Sequence, residues 1–321
     1  MEVSISSEAQ FGMTWPIWKQ FSATVESLGF DGLFRSDHFT IQPAPPDEDA
    51  LELITSLTYV ADRTQRIHFG SLVAPLSMRD AVMLARQAAA LDDLSGGRMV
   101  LGIGAGWNER EHAMFGYPLG DKATRLSRFE EGVQVIASLL RSGQPVTHSG
   151  RFYQLREAML LPQPTRPGGP RILIGGNGLQ RTLPLAARFA DVWNGDNLDP
   201  QTFRERSALL DDLAHKAGRR PTDIKRSVTL FIVCGRNAAE NERRVRVFRR
   251  FLPQHAHASV DDVRNGVRAD MNALVGTPAE VVEQIHALRD AGVQELMLHW
   301  NDTVETDGLQ LIAEEVLPHV R

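Results

Sequence analysis

The chain has 321 residues, 42% hydrophobic and 23% charged, with a formal net charge of −5. That balance offers nothing to nucleic acid, and a lone cysteine, Cys234, excludes an intrachain disulfide and a thiolate zinc cage. No apolar run approaches the roughly 20 residues that span a bilayer, and no basic stretch leads into an apolar leader, so a cytoplasmic protein without membrane contact is expected.

Short apolar runs alternate with amphipathic segments along the chain. The first run, Val3–Ile5, is followed by helical spacing at Phe21, Val25 and Leu28. The second, Gly32–Phe34, leads into Asp37 and His38 and then a proline-rich stretch, Phe39–Asp49, expected to form a lid. Ile67–Val73 is the third. Before the fourth, Met99–Leu101, the segment Ser95-Gly96-Gly97-Arg98 reads as a helix stop on the opposite face. After it come Gly102–His112 and a helix through Phe129, Val133, Ile136 and Leu140. Gly143–Pro170 is too long for a simple connection.

Ile172–Ile174 is the fifth run. It is followed by Gly175-Gly176-Asn177-Gly178 and a helix expected near Leu179. Val192–Trp193 and Val228–Val233 come next. Leu252–Leu274 is a second expected lid. Thr277-Pro278 caps a helix through Val281, Ile285 and Leu288, and Leu296–Leu298 is the last run. The eight runs are uniformly apolar, which suits parallel strands buried on both faces. They predict an α/β fold: one (β/α)8 TIM barrel over residues 1–321, with insertion loops at its C-terminal face. A doubly wound sheet would want Gly-x-Gly-x-x-Gly after the first strand, and none is there.

In such a barrel the loops after the strands meet at one mouth, where small molecules bind. Asp37 and His38 leave their loop in different directions, so one can orient a cofactor while the other handles a proton. Gly104-Ala105-Gly106 allows a bend without bulk, and Trp107 offers a flat face. Glu109 and Glu111 serve either the site or the first turn of a helix. Asp37, His38, Glu111 and His112 have ligand chemistry, but no His-Glu-x-x-His or His-x-His occurs, and no metal is predicted. No Gly-x-Ser-x-Gly elbow supports a nucleophile. Gly175–Gly178 suits an anion held by backbone N–H groups, or an ordinary tight turn. Trp15, Phe39, Trp107, Phe115 and Trp300 suggest an apolar mouth and a fairly apolar organic substrate.

Four segments carry a resemblance: Arg35–Phe39, Leu91–Arg98, Gly102–His112, and Ile174–Gly178 with Ala190-Asp191. They resemble the luciferase-like flavin and deazaflavin oxidoreductases, most closely the branch that uses coenzyme F420. The likeness runs from Phe30 to Gly195 and resumes from Val275 to Leu298. It implies a deazaflavin in the barrel mouth and hydride transfer to or from a small organic substrate. By this similarity Asp37 binds the cofactor and His38 exchanges a proton with the substrate. Ser71, Leu72 and Val73 form a bulge behind the ring, with Leu72–Val73 the candidate cis bond.

Gly106, Trp107 and Asn108 lie against the cofactor on the same reading. Gly175, Gly176, Asn177 and Gly178 hold its phosphate, with Asn194 and Arg181 as further contacts. Trp107 stands where the sugar-phosphate dehydrogenases of the family carry a glutamate, so a sugar-phosphate substrate is not carried over. Glu111 matches another acid of their motif. The alternative within the resemblance is a monooxygenase using reduced FMN and oxygen. A homodimer, and a separate reductase if reduced cofactor is consumed, are further implications.

Overall fold

The computed structural model describes residues 1–42, 44–249 and 259–321. Its strands are β1 (Glu2–Ser7), β2 (Gly32–Arg35), β3 (His68–Ser71), β4 (Ala74–Pro75), β5 (Met99–Gly104) and β6 (Val146–Ser149). They continue with β7 (Gln154–Ala158), β8 (Arg171–Gly175), β9 (Val192–Asp196), β10 (Lys225–Cys234), β11 (Leu274–Gly276) and β12 (Glu295–Trp300). Eight of them form a ring in the order β12, β1, β2, β3, β5, β8, β9, β10. Every neighbouring pair is parallel, and β10 pairs with both β9 and β12, which closes the barrel. The TIM-barrel expectation therefore holds.

The strands are buried because both faces are covered. All six residues of β5 are buried. Inside the ring, Phe34, Val100, Leu173, Val192 and Met297 form an apolar plug, with Leu72 and Val73 packed on it. This plug is the floor of the mouth. Outside the ring, helices pack a larger apolar shell against the strands. The helix Pro278–Asp290 starts as its sequence predicts, with Thr277 and Glu280 in a reciprocal capping box. The helix Ala81–Leu94 stops ahead of Gly96-Gly97, also as predicted. Cys234 ends β10 and is buried, which pushes its thiol pKa up to about 12.

Several elements differ from the sequence reading. The third run is split, β3 ending at Ser71 and β4 then pairing with β5, while the Leu72–Val73 peptide between them is cis, as the resemblance implied. Gly143–Pro170 contains an antiparallel hairpin, β6 with β7. β11 is an additional short strand on β10. The helix expected near Leu179 begins at Thr182, after a turn. Of the stretch Leu252–Leu274, residues 252–258 lie outside the described residues, and Val260–Met271 is a helix. Among the described residues no helix is long and apolar enough to cross a membrane.

Candidate active site

At the C-terminal ends of the barrel strands lies a cavity of about 470 Å³. That is within the roughly 300–1,000 Å³ of sites that enclose small ligands. One wall is apolar and nearly free of long side chains: Leu72, Val73, Pro75, Gly104 and Ala105. The groups around the rest of the rim are mostly polar.

Asp37 and His38 face different partners, as adjacent residues on a loop do. Asp37 is buried, and Arg79 donates to it twice, Nε to Oδ2 at 2.8 Å and Nη2 to Oδ1 at 2.7 Å. A second acid, Glu52, accepts from Arg79 Nη1 at 2.8 Å. His38 instead lines the cavity. Its Nδ1 lies 3.0 and 3.1 Å from the two oxygens of Glu111, leaving Nε2 for a bound molecule. Burial works against charge on this imidazole. The hydrogen bond to Glu111, with Glu8 and Asp37 close by, outweighs burial and raises its pKa above the ordinary value.

Glu111 is the hinge of this arrangement. It is fully buried and also accepts from the Phe39 N–H at 3.1 Å. It sits in the first turn of the helix Glu109–Phe115, so the helix and the β2 loop are fastened by one carboxylate. The bend that brings this helix in is made by Gly106, at φ +82°, where an added Cβ would stand 2.0 Å from Ser77 Oγ. His112 then accepts from or donates to that same hydroxyl through Nε2, at 2.8 Å. Trp107 projects at the rim, 60% exposed, with its ring edge-on to His38 at 5.6 Å. Asn108 turns away from the cavity and donates to Thr40 O at 2.6 Å.

Gly175 and Gly176 line the opposite side with Asn194. Asn194 is fixed by Ser227 and Thr229, at 3.0 and 3.1 Å. The Gly176 N–H donates to Asn194 O at 2.9 Å, which ties the turn to β9. Asn177 is bonded to the backbone of Asp196 in both directions. Gly178 is exposed at the outer edge of the turn, and Arg181 is paired with Glu130 at 2.7 Å. Ser71 is buried, donating to Gly102 O at 2.7 Å. Of the residues singled out from sequence, the structure brings His38, Glu111, Leu72, Val73, Gly106, Trp107, Gly175, Gly176 and Asn194 to one cavity. Asp37, Ser71, Asn108, Asn177, Gly178 and Arg181 stand behind it or beside it.

The aromatic rim is narrower than expected. Phe39 packs edge-on to Phe115 at 5.0 Å beside the cavity, and Trp15 packs on Tyr59. Trp300 is buried over Gly308. In their place the cavity is lined by Ile41 and Phe231. Sequence reading also missed Glu8, Asp196 and His299, all of which line it. The position of Glu8 just past the first strand was the available signal. Among the described residues no group of three or more His, Cys, Asp or Glu side chains is arranged to hold a metal.

The family model for luciferase-like monooxygenases matches residues 5–295 of the chain. The chain is 28% identical over 334 residues to a protein of Microbacterium testaceum named F420-dependent glucose-6-phosphate dehydrogenase, covering 98% of this chain and 96% of that one. It is 24% identical to the FMNH(2)-dependent dimethylsulfone monooxygenase of Pseudomonas putida, covering 94% and 87%. Its fold superposes on an F420-dependent secondary alcohol dehydrogenase, solved with an F420-acetone adduct, with a TM-score of 0.80 at 19% identity over the whole of both chains. With a matched family model spanning all but the chain's ends, and the barrel and mouth described above, the protein belongs to the luciferase-like monooxygenase family.

Proposed function

We propose that the protein is an F420-dependent oxidoreductase that moves a hydride between the deazaflavin and a small organic substrate. The single observation that carries this reading is the Glu111–His38 pair facing a cavity of about 470 Å³ with an apolar wall of Leu72, Val73, Pro75, Gly104 and Ala105. A deazaflavin would supply the two-electron chemistry there. The residues fit such a group: Leu72, Val73 and Pro75 back a planar ring, and Gly175 and Gly176 leave room beside it. His38 gives or takes the substrate proton through Nε2, and Glu111 holds its ring and supports its charge. Asp37, with Arg79, fixes the loop from which His38 projects. Trp107 shields the reacting end from solvent. The substrate is a small organic molecule with a fairly apolar body, and the protein works without a membrane or nucleic-acid partner, as a homodimer or alone.

Cofactor titration tests the reading. The purified protein is expected to bind F420 more tightly than FMN, followed by fluorescence of each. FMN binding without any response to F420, joined to substrate-dependent oxygen uptake, would move the protein to the monooxygenase class. A reductase partner is then required as well.

The phosphate of either cofactor is assigned to the turn Gly175–Gly178, ahead of the helix Thr182–Phe189. Gly176 has φ +118°, a conformation that a β-branched side chain does not tolerate. Gly176→Val is therefore expected to weaken cofactor binding at least tenfold. Gly97→Ala, on the opposite face, is the control: a lower melting temperature with affinity intact. Wild-type cofactor affinity in Gly176→Val would place the phosphate on another loop.

A further inference from the structure

Across the mouth from the apolar wall, three neighbouring strands bring a second polar group together. β1, β10 and β12 lie side by side, with Ser6 opposite His299 and His299 opposite Phe231. The His299 ring packs on Phe231 at 4.1 Å and has its Nε2 3.7 Å from Glu8 Oε1. Glu8 is held from behind by Gln10, which in turn accepts from Ser36 Oγ at 2.9 Å. Asp196 enters from the end of β9 and also lines the cavity. No hydrogen-bond or ion-pair partner among the described residues engages its carboxylate. The adjacent Asn197 lines the cavity too, and its buried amide oxygen has no hydrogen-bond partner.

This corner is rich in acceptors. Glu8 and Asp196 offer carboxylate oxygens, and Asn197 offers an amide oxygen that burial makes costly to leave unpaired. Burial also disfavours the charged form of His299, outweighing the pull of Glu8, Asp196 and Asn301, so its pKa is lowered and it adds little positive charge to attract an anion. The proton chemistry of the proposed reaction lies at His38, so these groups are left to recognise the rest of the substrate.

We propose that the corner formed by Glu8, Asp196, Asn197 and His299 binds a hydrogen-bond-donating end of the substrate, a hydroxyl or an amine. The substrate is thus gripped at two points: the reacting carbon beside His38 and a donor group at His299. A carboxylate or phosphate at this end is repelled by Glu8 and Asp196. The inference rests on the hydride-transfer reading for the placement of the reacting end, but the corner itself is tested without turnover.

The experiment uses protein saturated with its cofactor and labelled at histidine Cε1. The His299 signal is assigned by its loss in His299→Asn. Three probes are titrated: propane-1,2-diol, 1-aminopropan-2-ol and lactate. The diol and the amino alcohol are expected to shift the His299 signal saturably, and lactate at the same concentration to leave it in place. In Glu8→Gln, with cofactor kept saturating and its occupancy checked by fluorescence, the amino alcohol should bind at least fivefold more weakly. Lactate saturating the signal as readily as the diol, or no probe moving it, overturns the proposal. Cofactor fluorescence in the same samples reports separately on F420 against FMN, so failure of the hydride-transfer reading is distinguished from failure of the corner.

Discussion

His38→Ala is expected to slow turnover by roughly 10²–10⁴, the usual range for a positioned proton donor or acceptor, with cofactor affinity nearly intact. The imidazole reaches the cavity by its edge, so its removal opens space without unseating the apolar wall that backs the ring. The pH dependence gives a second reading. Because the pKa of His38 is raised, the imidazolium persists to higher pH than a free histidine would allow. In the direction that needs a proton donor, the rate should hold through neutral pH and fall only as pH climbs past that raised value. Glu111→Gln removes the carboxylate charge, so the same fall should come at lower pH. Steady-state rates of the wild type and of Glu111→Gln, followed from mildly acidic pH to well above neutrality, decide the point. Normal turnover in His38→Ala would assign the proton to another group or to water.

Asp37→Ala should produce the largest loss of stability among the mouth residues. It strands the Arg79 guanidinium, which is mostly buried and keeps only Glu52. Breaking a buried pair by deleting one partner costs about 3–5 kcal/mol, and the surviving contact to Glu52 puts the expectation near the lower end, about 3 kcal/mol. Denaturant unfolding of the variant reads this directly. The double variant Asp37→Ala with Arg79→Ala should recover part of the loss, since no unpaired charge then remains. A change below about 1 kcal/mol in Asp37→Ala would mean that water reaches Arg79 freely.

The barrel was legible because its strands are continuous apolar runs, and β5 is buried along its whole length. Asp37, His38 and Glu111 were legible because they sit in short patterned segments just past such runs. Their division of labour was not. That Asp37 turns inward to Arg79 while His38 turns to Glu111 depends on partners 42 and 73 residues away. Glu8 and His299 were hidden for a related reason. His299 lies inside an apolar strand, and only the register of β12 on β1 and β10 raises it to the rim beside Glu8. The hairpin β6–β7 escaped because its strands are largely exposed and carry no apolar run. The wider aromatic rim failed because Trp15 and Trp300 found closer partners in Tyr59 and the helix at Gly308.

The burial of Cys234 has a practical corollary for following the mouth in solution. Burial pushes its thiol pKa up to about 12, so little reactive thiolate forms at neutral pH, and the sulfur is shut away from reagents. The native chain is thus silent toward maleimides and iodoacetamides. A cysteine introduced at an exposed rim position such as Met114 would be the one group to take a dye or spin label, with no need to remove the natural thiol first.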